Sequence, residues 1–598
     1  MGFIAPTPPP FDVQEWKKKP HLERVKPLAQ DWAVNGFGTP YAVYLLYIVK
    51  LVAFAAGGLA LIGTTTPGLG GLGDLGDWWT QPIVWQKLVV WMILWEIVGL
   101  GSGSMPLTFR FLPPIGNVLY WLRPGTIRLP PWPDKVPGTK GSTRTILDVA
   151  LYAGVLATGF FLLFSDGKDI ASTAADIGGA TAGRLNTTGI VVMVVLLIAL
   201  GLRDKVSYLS SRPELYGLLL LVFLFPMDQM IIASQFVLLC IWWGAASSKL
   251  NRHFPNVVAV MVSNTPWNRF KTIKKRLYKN HPEDLRTSRE AAMFAHLGTV
   301  MEYVLPLLLI VSSGGTLGKI AVIGMIVFHI HITSTFPLAV PLEWNLFMIF
   351  GTLFMFGHYG EVPMSALDNP LLILLLLVSL VAVPVLGNLR PDKISFLPAM
   401  RYYAGNWATS QWLFRKDADA EETFDKGIVK SAPIVHKQLT TLYDEDMADV
   451  LLTKALAFRA LHNQGRALNG LLFRAVDDLE EYTVREGEFL AGATIGWNFG
   501  EGHFHGKQLL DAVQERCHYK PGELRIVTME SQPAHVQRQH YQIWDAASGL
   551  IEEGYVNVRD MVERQPWLDP TGAFPVEVTG PGAPQRTTTA PPRQGVPA

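Results

Sequence analysis

Charged residues are scarce in this chain, and their scarcity is local. Of its 598 residues, 17% are charged and 49% are hydrophobic, whereas soluble domains carry about 25% charged residues. The shortage is confined to roughly residues 40–390. It therefore predicts a membrane region rather than a soluble globule.

Cysteine is nearly absent, and several common sequence signals are missing altogether. Cys240 and Cys517 are too few to cross-link a chain of this length, which excludes a disulfide framework. Residues 1–26 are proline-rich and then charged, without the apolar core of a signal peptide. Pro6 stands where myristoylation requires Ser or Thr. The sequence also has no Gly-x-Ser-x-Gly elbow, Walker A loop, zinc ribbon or di-iron desaturase histidine box.

What the chain does have is a series of apolar runs. A spanning helix needs about 20 mostly apolar residues. Ten runs are candidates: 41–63, 83–102, 146–165, 188–202, 213–226, 228–246, 291–312, 317–336, 343–357 and 368–388. Lys and Arg concentrate in alternate loops, as expected for cytoplasmic loops, and loops 64–82, 313–316 and 358–367 carry none. The pattern predicts ten spans in the plasma membrane, with both termini in the cytoplasm.

The composition divides the chain into four parts. We expect an N-terminal cytoplasmic segment (1–39), an all-α polytopic membrane bundle (40–390), a cytoplasmic α+β domain (391–577) and a disordered tail (578–598) rich in Pro, Thr and Gly. Within the α+β domain, apolar spacing predicts helices over 431–476, a strand over 487–499, a helix over 506–517 and a strand over 523–531. Residues 541–558 predict a hairpin that turns at Ala546–Gly549.

Ionisable residues inside the apolar runs are the first functional signal. Such groups are costly in hydrocarbon, so each one is a functional hypothesis. The predicted topology places most of these ionisable residues toward the cytoplasmic face. The residues on that side are Glu96, Asp148, Lys249, His296, Glu302, His329 and His331. Taken singly, each could snorkel to the interface or bond a neighbouring helix. Together they predict a cavity that opens to the cytoplasm near the C-terminal domain.

Lys249 ends the apolar run that begins at Gln235. The charged form of a lysine is disfavoured at a dry boundary, so such a lysine can act as a general base. Histidines on adjacent helices can relay protons or ligate metal or haem iron. His329 and His331 are two residues apart and point to nearly opposite sides of one helix. His296 with His331 is therefore the better pair of haem ligands.

Three short stretches carry a family resemblance. GAASSKLN (Gly244–Asn251) resembles the AG-x-x-K-L segment of the vitamin K-dependent carboxylase membrane region and its bacterial relatives, the horizontally transferred transmembrane proteins. EYVLPLLLI (Glu302–Ile310) and FHIHITSTFP (Phe328–Pro337) look similar to the spans that follow in that family. The resemblance covers roughly residues 215–355. It implies that Lys249 is the base toward a reduced quinone.

Over its whole length, the chain looks more like a family of uncharacterised actinobacterial transmembrane proteins. The shared stretches are RYYAGNW (Arg401–Trp407) and GWNFGEGHFHG (Gly496–Gly506). RYYAGNW follows the last predicted span, where it could pack the soluble domain against the membrane or contact a lipid headgroup. This resemblance implies a topology but no activity.

GWNFGEGHFHG is a candidate cofactor-binding turn. Gly500, Gly502 and Gly506 lie between a predicted strand and a predicted helix, as a phosphate-cradling turn would. The alternative is a strained turn that merely joins the two elements. His503 and His505 alternate, so in extended backbone they point to opposite sides and a metal pair would need a further ligand, such as Glu501, Cys517 or His518.

These observations predict a membrane-embedded enzyme that acts on a lipid- or quinone-like amphiphile from the cytoplasmic leaflet. Lys249 would be its base, and His296, Glu302, His329 and His331 would line the site. A non-enzymatic transporter or envelope-assembly scaffold is one alternative, and a haem-binding electron carrier is another. Quinone and haem are the cofactors that the residues allow, and no metal site is expected. The basic run at 269–279 indicates anionic membrane lipid rather than nucleic acid, and no protein partner is specified.

Overall fold

The chain folds into a largely helical first part and a C-terminal part built on a β-sheet. The computed structural model describes residues 2–101, 116–266, 270–335, 342–567 and 574–581. The helices up to residue 264 are α1 (Val13–Lys17), α2 (His21–Asn35), α3 (Tyr41–Thr65), α4 (Leu75–Trp78), α5 (Pro82–Ile97), α6 (Gly116–Trp121), α7 (Ile146–Phe164), α8 (Ile170–Asp176), α9 (Thr187–Arg203), α10 (Lys205–Ser210), α11 (Leu218–Val222), α12 (Met227–Ser248) and α13 (Phe254–Asn264).

The remaining elements of the helical part are α14 (Lys271–Arg276), β1 (Tyr278–Asn280), β2 (Asp284–Thr287), α15 (Arg289–Val311), α16 (Thr316–Ser334), α17 (Leu342–Thr352), α18 (Pro370–Leu377) and α19 (Val383–Leu389). Short π-helical segments precede α11, continue α17 and join α18 to α19. The C-terminal part contains β3 (Thr409–Arg415), α20 (Ala420–Gly427), α21 (Val435–Leu442), α22 (Glu445–Leu461), α23 (Asn463–Ala475), β4 (Tyr482–Glu486), α24 (Gly487–Ile495), α25 (Lys507–Cys517), β5 (Leu524–Met529), β6 (Arg538–Asp545), β7 (Gly549–Asn557), α26 (Val558–Glu563) and β8 (Glu577–Val578).

Within the described residues, six helices are long and apolar enough to cross a membrane. They are α3, α7, α12, α15, α16 and the continuous helix Pro370–Leu389. Helices also occupy the other four predicted positions, but α5 has only 16 residues and α9 only 17, and the apolar helix Pro213–Val222 is shorter still. At about 1.5 Å per residue they are shorter than the ~30 Å hydrocarbon core. The prediction of ten spans is thus not confirmed, although a helix forms at each predicted place.

Burial separates the central helices from the peripheral ones. In α12, 72% of the most apolar window is buried, whereas in α3 the share is 17%. Nearly every side chain of α5 is buried as well. Exposed apolar side chains cover the outer faces of α3, α7, α15, α16 and α18. This arrangement places α5 and α12 at the centre and leaves apolar faces for lipid.

The C-terminal part is a six-stranded antiparallel sheet with helices packed on it. Its strand order is β4-β3-β5-β6-β7-β8. The predicted helices over 431–476 and 506–517, the strand over 523–531 and the hairpin with its turn after Asp545 are all confirmed. Together with the helical first part, this confirms an α-helical bundle followed by an α+β region.

The strand predicted over 487–499 is wrong, because residues 487–495 form α24. All nine residues of this helix are buried, so the run shows no polar face from which a helical period could be recognised. Glu486 begins the helix: its carboxylate accepts a hydrogen bond from the Phe489 backbone N–H at 2.9 Å.

The N-terminal segment is built into the rest of the molecule. Asp31 on α2 forms a buried ion pair with Lys454 on α22, 2.5 Å between Oδ2 and Nζ. The rings of Trp32 and Phe458 also meet, with centroids 5.1 Å apart. At the other end, β8 pairs with β7 across the expected boundary at 577. The rest of the predicted tail, residues 582–598, lies outside the described residues.

Candidate functional site

A cavity lies where the helical bundle meets the C-terminal part; we call it the main cavity. The volume open to the centre of a water-sized sphere is about 220 Å³. Its walls come chiefly from α12, α13, α15 and α16, and Tyr402, Tyr403 and Phe499 close the side toward the sheet. Most of its lining is apolar or aromatic; the ionisable and amide groups are Arg212, Lys249, Glu302, His329, His331 and Asn345.

Lys249 and Glu302 form a buried ion pair on the wall of the main cavity. Lys249 is the residue that ends α12, and Glu302 lies in the middle of α15. The Lys249 Nζ is 2.5 Å from one carboxylate oxygen of Glu302 and 2.6 Å from the other. The same ammonium group lies 5.4 Å from the ring centre of Phe254. Because both side chains are less than a tenth exposed, each charge depends on the other for compensation.

His329 lies on the same wall with its tautomer fixed by two neighbours. Trp242 Nε1 donates a hydrogen bond to His329 Nε2 at 3.0 Å. His329 Nδ1 must then carry the proton, which it donates to Asn345 Oδ1 at 2.8 Å. Both ring nitrogens are therefore engaged within the protein.

Of the five predicted catalytic residues, four line the main cavity. His331 joins Lys249, Glu302 and His329 there, one helical face away from His329. His296 is half-buried on α15 and does not contribute to the lining. The predicted pairing of His296 with His331 therefore does not face a common cavity. Within the described residues, no group of three or more His, Cys, Asp or Glu side chains is placed to hold a metal ion.

Arg212 is a cavity residue that the sequence did not indicate. It is buried, adopts a left-handed φ of 54°, and lies 4.1 Å from the ring centre of Trp344. Its Nε donates to Glu214 at 2.9 Å, and the Tyr402 hydroxyl donates to the same carboxylate oxygen at 3.0 Å. In the sequence Arg212 reads as one more basic loop residue that reports on topology. Its place directly before an apolar run is the only local signal.

The chain resembles one described protein family over nearly its whole length. A family model described as transmembrane protein of unknown function (DUF3556) matches residues 1–579. The chain belongs to this family. No curated protein and no solved structure matches it. Family membership, together with the long apolar helices, confirms the prediction of a membrane protein from an uncharacterised transmembrane family.

In this family member, a second cavity adjoins the main one. Its open volume is about 70 Å³, and it shares Met261, Tyr403 and Phe499 with the main cavity. The rest of its lining is mostly aromatic and aliphatic, with four ionisable residues: Arg401, Arg459, His462 and Glu488. Residues from α2, α13, α22 and α24 all contribute to it, so it too lies at the junction.

The RYYAGNW segment forms this junction. Gly405 has a φ of 71°, and a Cβ there would lie 2.7 Å from Val257 Cγ2, so only glycine fits. The Asn406 side chain donates a hydrogen bond to the Gln532 carbonyl oxygen at 2.8 Å and accepts one from the Gln532 N–H at 2.7 Å. Tyr403 has a φ of 52°, which is rare for a bulky residue and typical of functional sites. The segment packs the C-terminal part against α13, and its two tyrosines line the main cavity.

The glycine-rich motif forms a closed turn whose donors are already used. The Gly500 N–H donates to the Glu488 carboxylate at 2.9 Å. A Cβ on Gly502 would lie 2.0 Å from the Ala408 carbonyl oxygen, and Gly506 directly precedes α25. The Gly500 N–H, a donor that a phosphate cradle would need, is therefore already bonded to a carboxylate. The geometry favours the structural alternative over the predicted phosphate cradle, and the preceding element is a helix rather than a strand.

The two histidines of this motif differ in charge: one is protonated and the other is neutral. His503 lies between Glu501 and Glu530, 2.8 and 2.7 Å from its two ring nitrogens. Burial alone would lower the pKa of His503, but the two carboxylates raise it to about 10. His505 is buried against the Ser410 hydroxyl at 2.6 Å, and burial holds its pKa well below the ordinary value. His503 is thus an imidazolium that joins the turn to β5, and His505 is a neutral core residue.

Proposed function

We propose that this protein is a membrane-embedded enzyme that acts on a lipid- or quinone-like amphiphile bound in the main cavity. The observation that carries the proposal is the Lys249–Glu302 pair: a buried acid and base on the wall of an otherwise largely apolar cavity. Cavities of this composition, with a few converging polar groups, are typical of ligand sites.

The ion pair can supply a base when the cavity fills. An apolar ligand excludes water, which destabilises the charged pair relative to the neutral amine and carboxylic acid. Transfer of one proton from Lys249 to Glu302 leaves a neutral amine that faces the ligand. That amine can take a proton from a substrate hydroxyl, and the substrate oxygen keeps the electron pair. The likeness of Gly244–Asn251 to the carboxylase segment supports a quinol as the proton donor.

The same contacts bear on the alternatives. His329 is already bonded through both nitrogens, so ligation of haem iron would require loss of one of these bonds. The polar residues of the main cavity gather beside the C-terminal part, which fits a one-sided pocket better than a transport path. The distribution of Lys and Arg supports a plasma-membrane location with this side in the cytoplasm. Membrane lipid is then the surrounding partner.

Photocrosslinking tests the proposal directly. The full chain in nanodiscs is irradiated with a diazirine-bearing phospholipid or a diazirine-bearing ubiquinone analogue, and labelled peptides are mapped by mass spectrometry. We expect labelling in α12, α13 and α15. Gly298 lines the main cavity, and no atom lies within 4 Å of an added Cβ. Gly298→Leu should therefore fold, fill the cavity and reduce this labelling at least tenfold.

Gly57→Leu is the matched control. Gly57 lies on the spanning helix α3 outside the cavity lining, and an added Cβ would meet Trp91 at an ordinary 3.7 Å. It should label like the wild type. Labelling confined to the outer faces of the bundle, equal in both variants, would refute the proposal.

A further inference from the structure

Arg401 lines the second cavity, and part of its guanidinium group makes no hydrogen bond to the described residues. Its side chain is 1% exposed. Nη1 donates to the Gly387 carbonyl oxygen at 2.7 Å, which fixes the guanidinium at the end of α19. Nε and Nη2 have no hydrogen-bond partner among the described residues. These two N–H groups form one side of the planar guanidinium, the side that binds the two oxygens of a carboxylate in parallel.

The surrounding charges leave Arg401 uncompensated. Arg459, in the same cavity, is already paired with Glu486 at 2.7 Å and with Glu488. Glu501 and Glu530 act on Arg401 from a distance, but both are bonded to the His503 imidazolium. Burial lowers the pKa of Arg401 despite these two carboxylates. A buried guanidinium without a partner is destabilising, so an anion there would be strongly favoured.

A second unpartnered donor lies in the same lining. The Tyr403 hydroxyl is buried and, within the described chain, has no hydrogen-bond partner. Tyr403 separates the second cavity from the main one and lines both. The rest of the lining is mostly aromatic and aliphatic and includes Phe396, Trp407, Phe489 and Phe499. The lining therefore offers three donors: two N–H groups of Arg401 and the Tyr403 hydroxyl. Because the walls around them are aromatic, the site fits a carboxylate attached to an apolar chain better than a free, fully hydrated anion.

We propose that Arg401 binds the carboxylate head group of an amphiphile, side-on through Nε and Nη2, while the apolar part extends past Tyr403 toward the main cavity. This inference rests on the proposed function, because it assigns the head group of the same ligand. It narrows the ligand class to amphiphiles with a carboxylate head group; a substrate of the proposed base would also carry a hydroxyl on the part that enters the main cavity, and palmitate serves as the binding probe for the head group. It also gives RYYAGNW a binding role in addition to its packing role.

The experiment compares an acid with its neutral analogue. Binding of radiolabelled palmitate and hexadecanol to the full chain is measured in nanodiscs of neutral phosphatidylcholine. We expect the wild type to prefer palmitate at least tenfold. Arg401→Gln should weaken palmitate binding by about 10- to 100-fold and leave hexadecanol within about twofold. Arg401→Lys should recover part of the loss, since it keeps the charge without the planar fork.

Two further variants keep the test independent of folding. Tyr403→Phe removes only the hydroxyl and should weaken palmitate binding about threefold or more. Arg390→Gln is the control, because Arg390 lies on the surface and pairs with Asp392; it should bind like the wild type. Unchanged palmitate binding in both Arg401→Gln and Tyr403→Phe would overturn the proposal.

The outcomes separate this inference from the proposed function. If palmitate and hexadecanol bind equally, and Gly298→Leu weakens both, the acid assignment fails while the amphiphile cavity stands. If phosphatidate binds more tightly than palmitate and loses this advantage in Arg401→Gln, the carboxylate assignment is overturned in favour of a phosphate. If neither palmitate nor hexadecanol binds and the crosslinking of Gly298→Leu matches the wild type, both proposals fail.

Discussion

At the residue scale, the proposed chemistry of the main cavity depends on two opposite charges that are both buried. Lys249 and Glu302 bond each other through both carboxylate oxygens. Removal of one partner leaves a buried charge alone, which typically costs about 3–5 kcal/mol. Replacement of both by apolar residues is often close to neutral for stability. Stability and catalysis can therefore be separated at this pair.

A double-mutant comparison uses that separation. Lys249→Met and Glu302→Gln should each lower the free energy of unfolding by about 3 kcal/mol or more, and each should abolish activity toward the crosslinked amphiphile. The variant Lys249→Met with Glu302→Leu should regain most of the stability and none of the activity. Stability is measured by unfolding in mixed micelles.

The control for this pair is the buried ion pair Asp31–Lys454, which lies outside both cavities. Lys454→Met should cost similar stability and leave turnover per folded molecule unchanged. Wild-type turnover in Lys249→Met would remove Lys249 from the mechanism.

At the element scale, the turn at Gly496–Gly506 is held by charge rather than by apolar packing alone. His503 bridges Glu501, within the turn, and Glu530, just after β5. The pKa of His503 is raised to about 10 in the folded chain, against an ordinary value of about 6.5. A raised pKa stabilises the fold fully below pH ~6.5, and the stabilisation is lost as pH rises through ~10. The turn should therefore loosen in alkali.

Hydrogen exchange tests this pH dependence. Between pH 6.5 and 9.5, the opening free energy of the turn and of β5 should fall by roughly 3–4 kcal/mol in the wild type, after correction for intrinsic exchange. His503→Gln should start lower and change little over this range. His535→Gln, at an exposed loop position, should follow the wild type. A flat wild-type profile would show that His503 is not held as an imidazolium.

At the scale of the whole molecule, the N-terminal segment is fixed to the C-terminal part. The α2–α22 contact places the N-terminal segment on the C-terminal part, with the Asp31–Lys454 pair between them. We therefore expect the N-terminal segment and the C-terminal part to lie on the same side of the membrane. An even number of crossings satisfies this requirement, and both the six long helices and the ten predicted spans are even numbers.

Cysteine labelling tests the topology, because the natural chain has only Cys240 and Cys517. In a background with both changed to Ser, Lys18→Cys and Asp511→Cys are introduced at exposed sites in the N-terminal segment and α25. A membrane-impermeant maleimide should label both only after the cells are opened. Met364→Cys, in the exposed loop before α18, should be labelled in intact cells. Labelling of Lys18→Cys and Asp511→Cys from opposite sides would contradict the fold.

The sequence by itself located a helix at each of the ten predicted apolar runs, because hydropathy is a local property of the chain, but it did not predict α13 between two of them. It also singled out Lys249, Glu302, His329 and His331, since ionisable residues stand out against apolar runs. It could not determine that α24 is a helix, because a run buried on every side carries no period. It missed Arg212, which reads as an ordinary loop charge, and it singled out RYYAGNW (Arg401–Trp407) without separating packing from headgroup contact.

Only the tertiary structure decided which of these groups meet. Glu302 reaches Lys249, whereas His296 on the same helix does not line the main cavity, because the packing of α12 against α15 selects one face of each helix. Tyr403 and Phe499, from distant parts of the chain, close one side of the main cavity. Two N–H groups of Arg401 stay without a partner among the described residues because the neighbouring carboxylates are already paired. Such choices depend on long-range packing, which no local pattern of residues encodes.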